Sequence, residues 1–305
     1  MTNLENNTTE KKYYYSEIFH SIQGEGHYTG VPTAWIRFFL CNLQCNGFGQ
    51  KDPTDPSTYE LPFENFDVST VKRVEDLPVW DKGCDSSYTW AKKFKGLMGH
   101  ETPSVLADKI VDALKTDSNP DGLFLHPGSK QYQHLCFTGG EPLMATGQLA
   151  SMGIYKALKK KNNLPKSMTF ETNGTQTLRE PFKQWIKDIP EEIFFSVSPK
   201  LFTVSGEKTE KAIKPENVAE YTECSNRGQL KFVVGAADRE WDELEMTVEK
   251  FRKAGVQWPV WIMPTGAREE EQVATAGQVA EKAFKKGYNV AARVHVYLFG
   301  NAIGT

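Results

Sequence analysis

From Pro103 to Leu298 the chain alternates between two periodicities, and that alternation limits the fold more than any other feature. Gln133–Phe137, Ser167–Phe170, Glu192–Val197, Leu230–Val234 and Pro259–Met263 are short and rich in β-branched and aromatic residues, as strands are. Between them run longer stretches expected to be helical, Gln148–Lys160, Leu178–Lys187, Asp238–Lys253 and Glu269–Lys286. Ahead of them, Pro103–Leu114 puts Val105, Leu106, Ile110, Val111 and Leu114 on one helical face. Glu269–Lys286 has acids first, lysines last and Gly287 as its cap. Asn289–Leu298 is expected to close the series as a strand. Tyr13–Phe19 and Thr33–Phe39 add two strands upstream. Strands alternating with helices predict a parallel sheet with right-handed crossovers. The expected class is α/β, a partial or distorted (β/α)6 barrel forming one domain over 13–305.

The polar and glycine-bearing motifs fall just after strands, the edge at which such folds bind ligands. Strand Thr33–Phe39 runs into Cys41-Asn-Leu-Gln-Cys45, and Cys84 follows within Gly83-Cys-Asp-Ser-Ser-Tyr-Thr-Trp90. Residues 46–83 have little periodicity and are too long for an ordinary connection, so an inserted loop or small subdomain is expected over the cysteines. Three thiolates suit a four-iron cluster whose fourth iron stays open for a ligand, with Tyr88 and Trp90 shielding it. A zinc site completed by His27 or His100 uses the same residues, and three unrelated buried thiols remain a plain alternative. In Thr138-Gly-Gly-Glu-Pro142 the glycines let backbone approach a ligand and Glu141 can accept from an ammonium, although the string also makes an ordinary turn. Ile22-Gln-Gly-Glu-Gly26 is a second close-approach turn. Arg37, inside an apolar strand, needs a buried carboxylate or an anionic ligand.

With 36 Lys and Arg against 39 Asp and Glu, the chain has no broad basic field for nucleic acid or membrane. Lys159–Lys161 is a solvated helix end. There is no apolar run of spanning length and no export signal, and five cysteines is an odd number. The expectation is a cytoplasmic protein with reduced thiols, in which Cys136 and Cys224 are inert. The polar segment 1–12 is expected to be a disordered tail.

A cysteine loop after one strand and Gly-Gly-Glu-Pro after the next resemble the radical S-adenosylmethionine (SAM) superfamily. The ordered set Ile22–Gly26, Arg37, Cys84-Asp-Ser86, Thr138–Pro142, Glu171-Thr-Asn-Gly174, Ser198-Pro-Lys200 and Arg293-Val-His-Val-Tyr-Leu-Phe-Gly-Asn301 is similar to the 7-carboxy-7-deazaguanine synthase family. The resemblance spans nearly the whole chain apart from the tail and the insert. It implies conversion of 6-carboxy-5,6,7,8-tetrahydropterin to 7-carboxy-7-deazaguanine with loss of ammonia, on the route to queuosine and related deazapurines. It implies a [4Fe-4S] cluster that reduces SAM to methionine and a 5′-deoxyadenosyl radical. That radical takes a hydrogen from C6 of the pterin and later receives it back, and Mg2+ assists. A flavodoxin or ferredoxin as electron donor and a homodimer are also implied.

Residue roles follow from the resemblance. Cys41, Cys45 and Cys84 hold the cluster, and Ser86 is the magnesium ligand through its hydroxyl. Gly83, Cys84, Asp85, Gly139, Gly140, Glu141, Glu171, Ser198, Pro199 and Lys200 contact SAM, with Met263, Pro264, Thr265 and Gly266 against the adenosine. Ile22, Gln23, Gly24 and Glu25 read the pterin edge, Arg37 pairs with the substrate carboxylate, and Thr138, His295 and Thr305 close on the substrate. Plainer readings make Arg37 a structural ion pair, His295 a core histidine, Ser198–Lys200 a turn and Glu171 a loop cap. Many radical SAM enzymes have a third cysteine where this chain has Phe48, and serine stands at the magnesium position where threonine is frequent. The competing functions are a glycyl-radical-activating enzyme, which would not need the Gln23–Glu25 turn, and a non-catalytic zinc-containing pterin-binding protein.

Overall fold

The computed structural model describes residues 10–300 and 302–304; Thr305 and residues 1–9 of the expected tail lie outside the described residues. Nine strands are present among the described residues: β1 Tyr13–Ile22, β2 Pro32–Phe38, β3 Gly99–Glu101, β4 His134–Gly139, β5 Ser167–Thr172, β6 Glu192–Val197, β7 Gly228–Val234, β8 Val260–Pro264 and β9 Asn289–Val290. They form one sheet in the order β3-β1-β2-β4-β5-β6-β7-β8-β9. From β2 to β9 every neighbour is parallel, while β1 is antiparallel to β2 and β3. The sheet is open, with β3 and β9 as its edges, and no pairing among the described residues closes it into the expected barrel.

The two faces of the sheet differ because successive side chains point to opposite sides. Ala34, Ile36, Leu135, Phe137, Met168, Phe170, Phe195, Leu230, Phe232 and Ile262 are buried in the main core. There they meet Leu106, Ile154, Phe182, Leu244 and Val279 from the helices. The alternate positions Trp35, Arg37, Thr138, Glu171, Lys231, Val233 and Met263 line a cavity instead. One face is therefore an apolar floor for helices and the other the mixed polar and apolar wall of a cavity.

The helices start and stop where their chemistry dictates. Pro103–Ala113 has Pro103 in its first turn, and the Thr102 hydroxyl accepts from the Val105 N–H at 3.4 Å. Asp238–Lys253 and Glu269–Lys285 carry acids in the first turn and bases in the last, matching the helix dipole. Pro215–Cys224 is a helix that the sequence reading did not anticipate. Asn289–Leu298 is not one strand: after β9 the chain forms helix Val294–Phe299, capped by Gly300 in the left-handed conformation. His295 thus sits on a helix. Its neighbour Val296 is buried, and the Val294 N–H bonds to the Gly24 carbonyl at 2.9 Å.

The irregular segment after Cys45 runs on to Met98, beyond the expected end at 83, as short helical turns. Asp55 and Asp67 start two of them by accepting from the N–H groups of Ser57 and Ser69, each at 3.0 Å. The segment has its own apolar cluster of Phe63, Val74, Leu77, Trp80, Tyr88, Ala91 and Phe94. Within it the chain folds back on its start, where the Gly83 N–H bonds to the Phe48 carbonyl at 2.8 Å. Gly49 (φ +67°) allows that approach, because a Cβ there would lie 2.2 Å from the Asp81 carbonyl oxygen.

Candidate functional site

A cavity of about 680 Å3 opens at the carboxyl ends of the parallel strands. Cys41 and Cys45 reach it from the loop after β2, and Cys84 returns to it from the far end of the insert. Cys45 is buried with Leu43 and Ala212, and Cys41, Phe48 and Cys84 pack against the same small cluster. The loop holds an unusual shape, with positive φ at Leu40 (103°) and Cys45 (53°). The buried Glu207 carboxylate fixes it by accepting from the N–H groups of Gln44 (2.5 Å) and Cys45 (2.8 Å). Burial and then the Glu141 charge push the Cys41 thiol up to about 12, and burial and then Asp85 push Cys84 to about 11. Burial also holds Cys45 well above its ordinary value. Three such thiols ionise only if a cationic centre compensates them, which suits a metal cluster.

Among the described residues no three His, Cys, Asp or Glu side chains converge to hold a single metal ion. His27 and His100, the proposed fourth zinc ligands, do not line the cavity: they stack on Phe194 (5.3 Å) and Tyr14 (4.1 Å).

The expected SAM side is Gly83, Asp85, Gly139, Gly140, Glu171, Ser198, Lys200, Met263, Pro264, Thr265 and Gly266, all on the cavity wall. Lys200 Nζ donates to Ser198 Oγ at 2.9 Å. Glu141 and Pro199, also expected on this side, do not line the cavity. Glu141 is turned into the protein, where its carboxylate accepts from Leu143 N (2.9 Å), Thr172 Oγ1 (2.7 Å) and Asn173 N (2.7 Å). It fixes Thr172 and Asn173, which do line the cavity, and Asn173 also donates to Asn42 in the cysteine loop at 3.1 Å.

The expected substrate side is a charged network. Gln23 donates to Glu171 at 3.0 Å and accepts from the Glu25 N–H at 3.0 Å. Lys231, on β7 and 3% exposed, pairs with both Glu25 and Glu171. Arg293 joins Glu25 to Asp85, each at 3.0 Å. Burial opposes the charge on Glu25, but Lys231 and Arg293 outweigh it and hold the carboxyl well below the usual range. Burial likewise opposes the charge on Lys231, and Glu171 and Glu25 outweigh it. Arg37 lines the cavity with its Nε bonded to Glu17 at 2.6 Å, and Tyr88 donates to the same oxygen at 2.8 Å. Ser86 lines the cavity and donates to Asp85 at 3.1 Å. Ile22, Gly24, Thr138 and His295 line it as well. Burial, partly offset by Glu25, lowers the His295 imidazole to about 4.

The sequence reading missed Lys231, Arg293, Glu17 and Glu207 as site residues. Lys231 had a signal, a lysine in the middle of an apolar strand. Glu207 had none, since it reaches the cysteine loop only through the fold.

No protein-family model matches the chain. Over nearly its whole length the chain is similar to proteins named 7-carboxy-7-deazaguanine synthase. The one from Rhodopirellula baltica is 25% identical over 307 residues, covering 97% of this chain and 90% of that protein. The one from Halobacterium salinarum is 27% identical over 312 residues, covering 94% and 90%. Among solved structures, QueE from Escherichia coli matches with a TM-score of 0.48 at 19% identity, covering 93% of this chain and 95% of that one.

Proposed function

We propose that this chain is a 7-carboxy-7-deazaguanine synthase, a radical SAM enzyme converting 6-carboxy-5,6,7,8-tetrahydropterin to 7-carboxy-7-deazaguanine. One observation carries the reading: three cysteines from two distant segments and the polar ends of the parallel strands line a single cavity. The full-length similarity to proteins of that name supports it. Cys41, Cys45 and Cys84 would hold a [4Fe-4S] cluster with one iron left for the amino and carboxylate groups of SAM. Together the cluster and SAM supply the one-electron chemistry that removes a hydrogen atom from the substrate.

The chain's own residues bind and orient. Arg37, anchored by Glu17 through Nε, directs its terminal nitrogens at the substrate carboxylate, where a fork suits two oxygens. Gln23 and Glu25 offer amide and carboxylate groups to the pterin edge, and Lys231 holds the carboxylates of Glu25 and Glu171 in place by pairing with both. Gly139 and Gly140 admit the amino-acid portion of SAM, Glu171, Ser198 and Lys200 contact its ribose and carboxylate, and Met263–Gly266 pack on its adenosine. Ser86 would offer its hydroxyl to Mg2+, a hard cation that takes oxygen ligands. In this reading the open nine-stranded sheet is the partial barrel of such enzymes. A flavodoxin or ferredoxin would reduce the cluster, and the assembly would be a cytoplasmic homodimer. No described helix is long and apolar enough to cross a membrane.

The test is anaerobic reconstitution followed by incubation with SAM, a reductant, magnesium and the carboxypterin. Mass spectrometry should find the deazaguanine, lighter than the substrate by ammonia. Protein that cleaves SAM but leaves the pterin intact would overturn the reading.

A further inference from the structure

Arg293 stands immediately before helix Val294–Phe299, with its side chain 13% exposed. Its three nitrogens donate in three directions. Nε bonds to Glu25 Oε1 at 3.0 Å, Nη1 to the Gly266 carbonyl at 3.1 Å and Nη2 to Asp85 Oδ2 at 3.0 Å. These acceptors lie on the turn after β1, the end of β8 and the loop carrying Cys84. In the reading above they serve the pterin, SAM and the cluster.

We propose that Arg293 is a positioning residue that locks these three loops in register and seats the C-terminal segment across the cavity. Two further contacts support this. The His295 ring occupies the space a Cβ on Gly24 would need, with Nδ1 2.0 Å from that position. Farther on, Ile303 packs against the apolar cluster of the insert, and Ala302, Ile303 and Gly304 line the cavity. The insert thus gives the end of the chain a surface to close on. Only a planar fork reaches two carboxylates and a carbonyl at once, and a lysine ammonium on the same stem cannot. Without the cation, Glu25 and Asp85 repel each other.

The proposal rests on the synthase reading for its consequences in catalysis but not for its geometry, so two readouts separate them. In reconstituted holoenzyme, Arg293→Lys should retain the wild-type iron content, while KM for the carboxypterin rises at least tenfold and KM for SAM rises with it. Hydrogen exchange should speed up about tenfold in 83–90 and in 294–300 together, which the loss of one helix contact would not produce. Arg293→Met should show the same pattern more strongly. If it does not fold, the lysine variant decides alone. Wild-type exchange in 83–90 for the lysine variant would overturn the proposal, whatever reaction the enzyme catalyses. Coupled loosening of both segments in a protein that makes no deazaguanine would sustain it while removing the synthase reading.

Discussion

Gly83 donates its backbone N–H to the carbonyl of Phe48 at 2.8 Å. Phe48 holds the position at which a compact three-cysteine motif would have its last cysteine. The bond returns the chain there after the long insert and brings Cys84 to the cavity that Cys41 and Cys45 line. Closing a long loop costs little more entropy than closing a short one, and the insert's own apolar cluster offsets that cost.

If Cys84 is a cluster ligand, Cys84→Ala should lose the brown chromophore and most of its iron on anaerobic reconstitution. Cys136→Ala, altered at a fully buried position on β4 away from the cavity wall, should keep both. Iron analysis and visible absorption check this. The opposite pattern would reassign the ligands.

Glu207 holds the cysteine loop through two N–H groups, and hydrogen bonds to a charged partner contribute about 1.5–3 kcal/mol each. Glu207→Ala should lower the iron retained after desalting at least twofold, because Cys45 would lose support for its positive φ. Glu207→Gln keeps an acceptor and should retain more iron than the alanine variant. Equal retention in both variants would show that the loop holds its shape alone.

Lys231 is the buried cation shared by Glu25 and Glu171. Lys231→Met leaves two like charges in the cavity wall and should cost about 3–5 kcal/mol of stability. Adding Glu171→Gln to that variant removes one of the stranded charges and should restore part of the loss. Urea unfolding of the four members of this cycle measures the coupling, and strict additivity would contradict the pairing.

His134 is buried between the Ser167 hydroxyl (2.8 Å) and the Thr169 hydroxyl (2.7 Å), and burial lowers its imidazole to about 3. The unfolded chain, with an ordinary histidine near 6.5, then binds a proton that the folded chain does not. Stability should therefore fall as pH drops from about 6.5 towards 3, by up to about 1.4 kcal/mol per unit from this group. Comparing urea midpoints at pH 7.5 and 5.5 checks it: the wild type should lose about 1.4 kcal/mol more than His134→Gln.

The order of strands and major helices was legible because period and capping agree along most of the chain. Asp238–Lys253 and Glu192–Val197 fall where their pattern puts them. Val294–Phe299 was misread because Val-His-Val-Tyr-Leu-Phe is β-branched and aromatic, while its docking on Gly24, a tertiary contact, makes it a helix. Polar residues inside strands were followed up at Arg37 and Glu171 but not at Gln229 and Lys231, although a lysine in an apolar strand carries the same warning. Glu141 shows the limit of a motif: the string falls at a strand end on the cavity, but the backbone groups of Leu143 and Asn173 claim its carboxylate. The charge network was hidden because Asp85, Arg293, Glu25 and Lys231 come from four distant segments.

The account depends on one iron of the cluster being left for SAM. Electron–nuclear double resonance on the reduced protein with SAM labelled in its amino nitrogen and carboxylate oxygen tests this most directly. The account predicts hyperfine coupling of both labels to the cluster in the wild type. A fully formed cluster that shows no coupling to either label, with SAM bound, would contradict it.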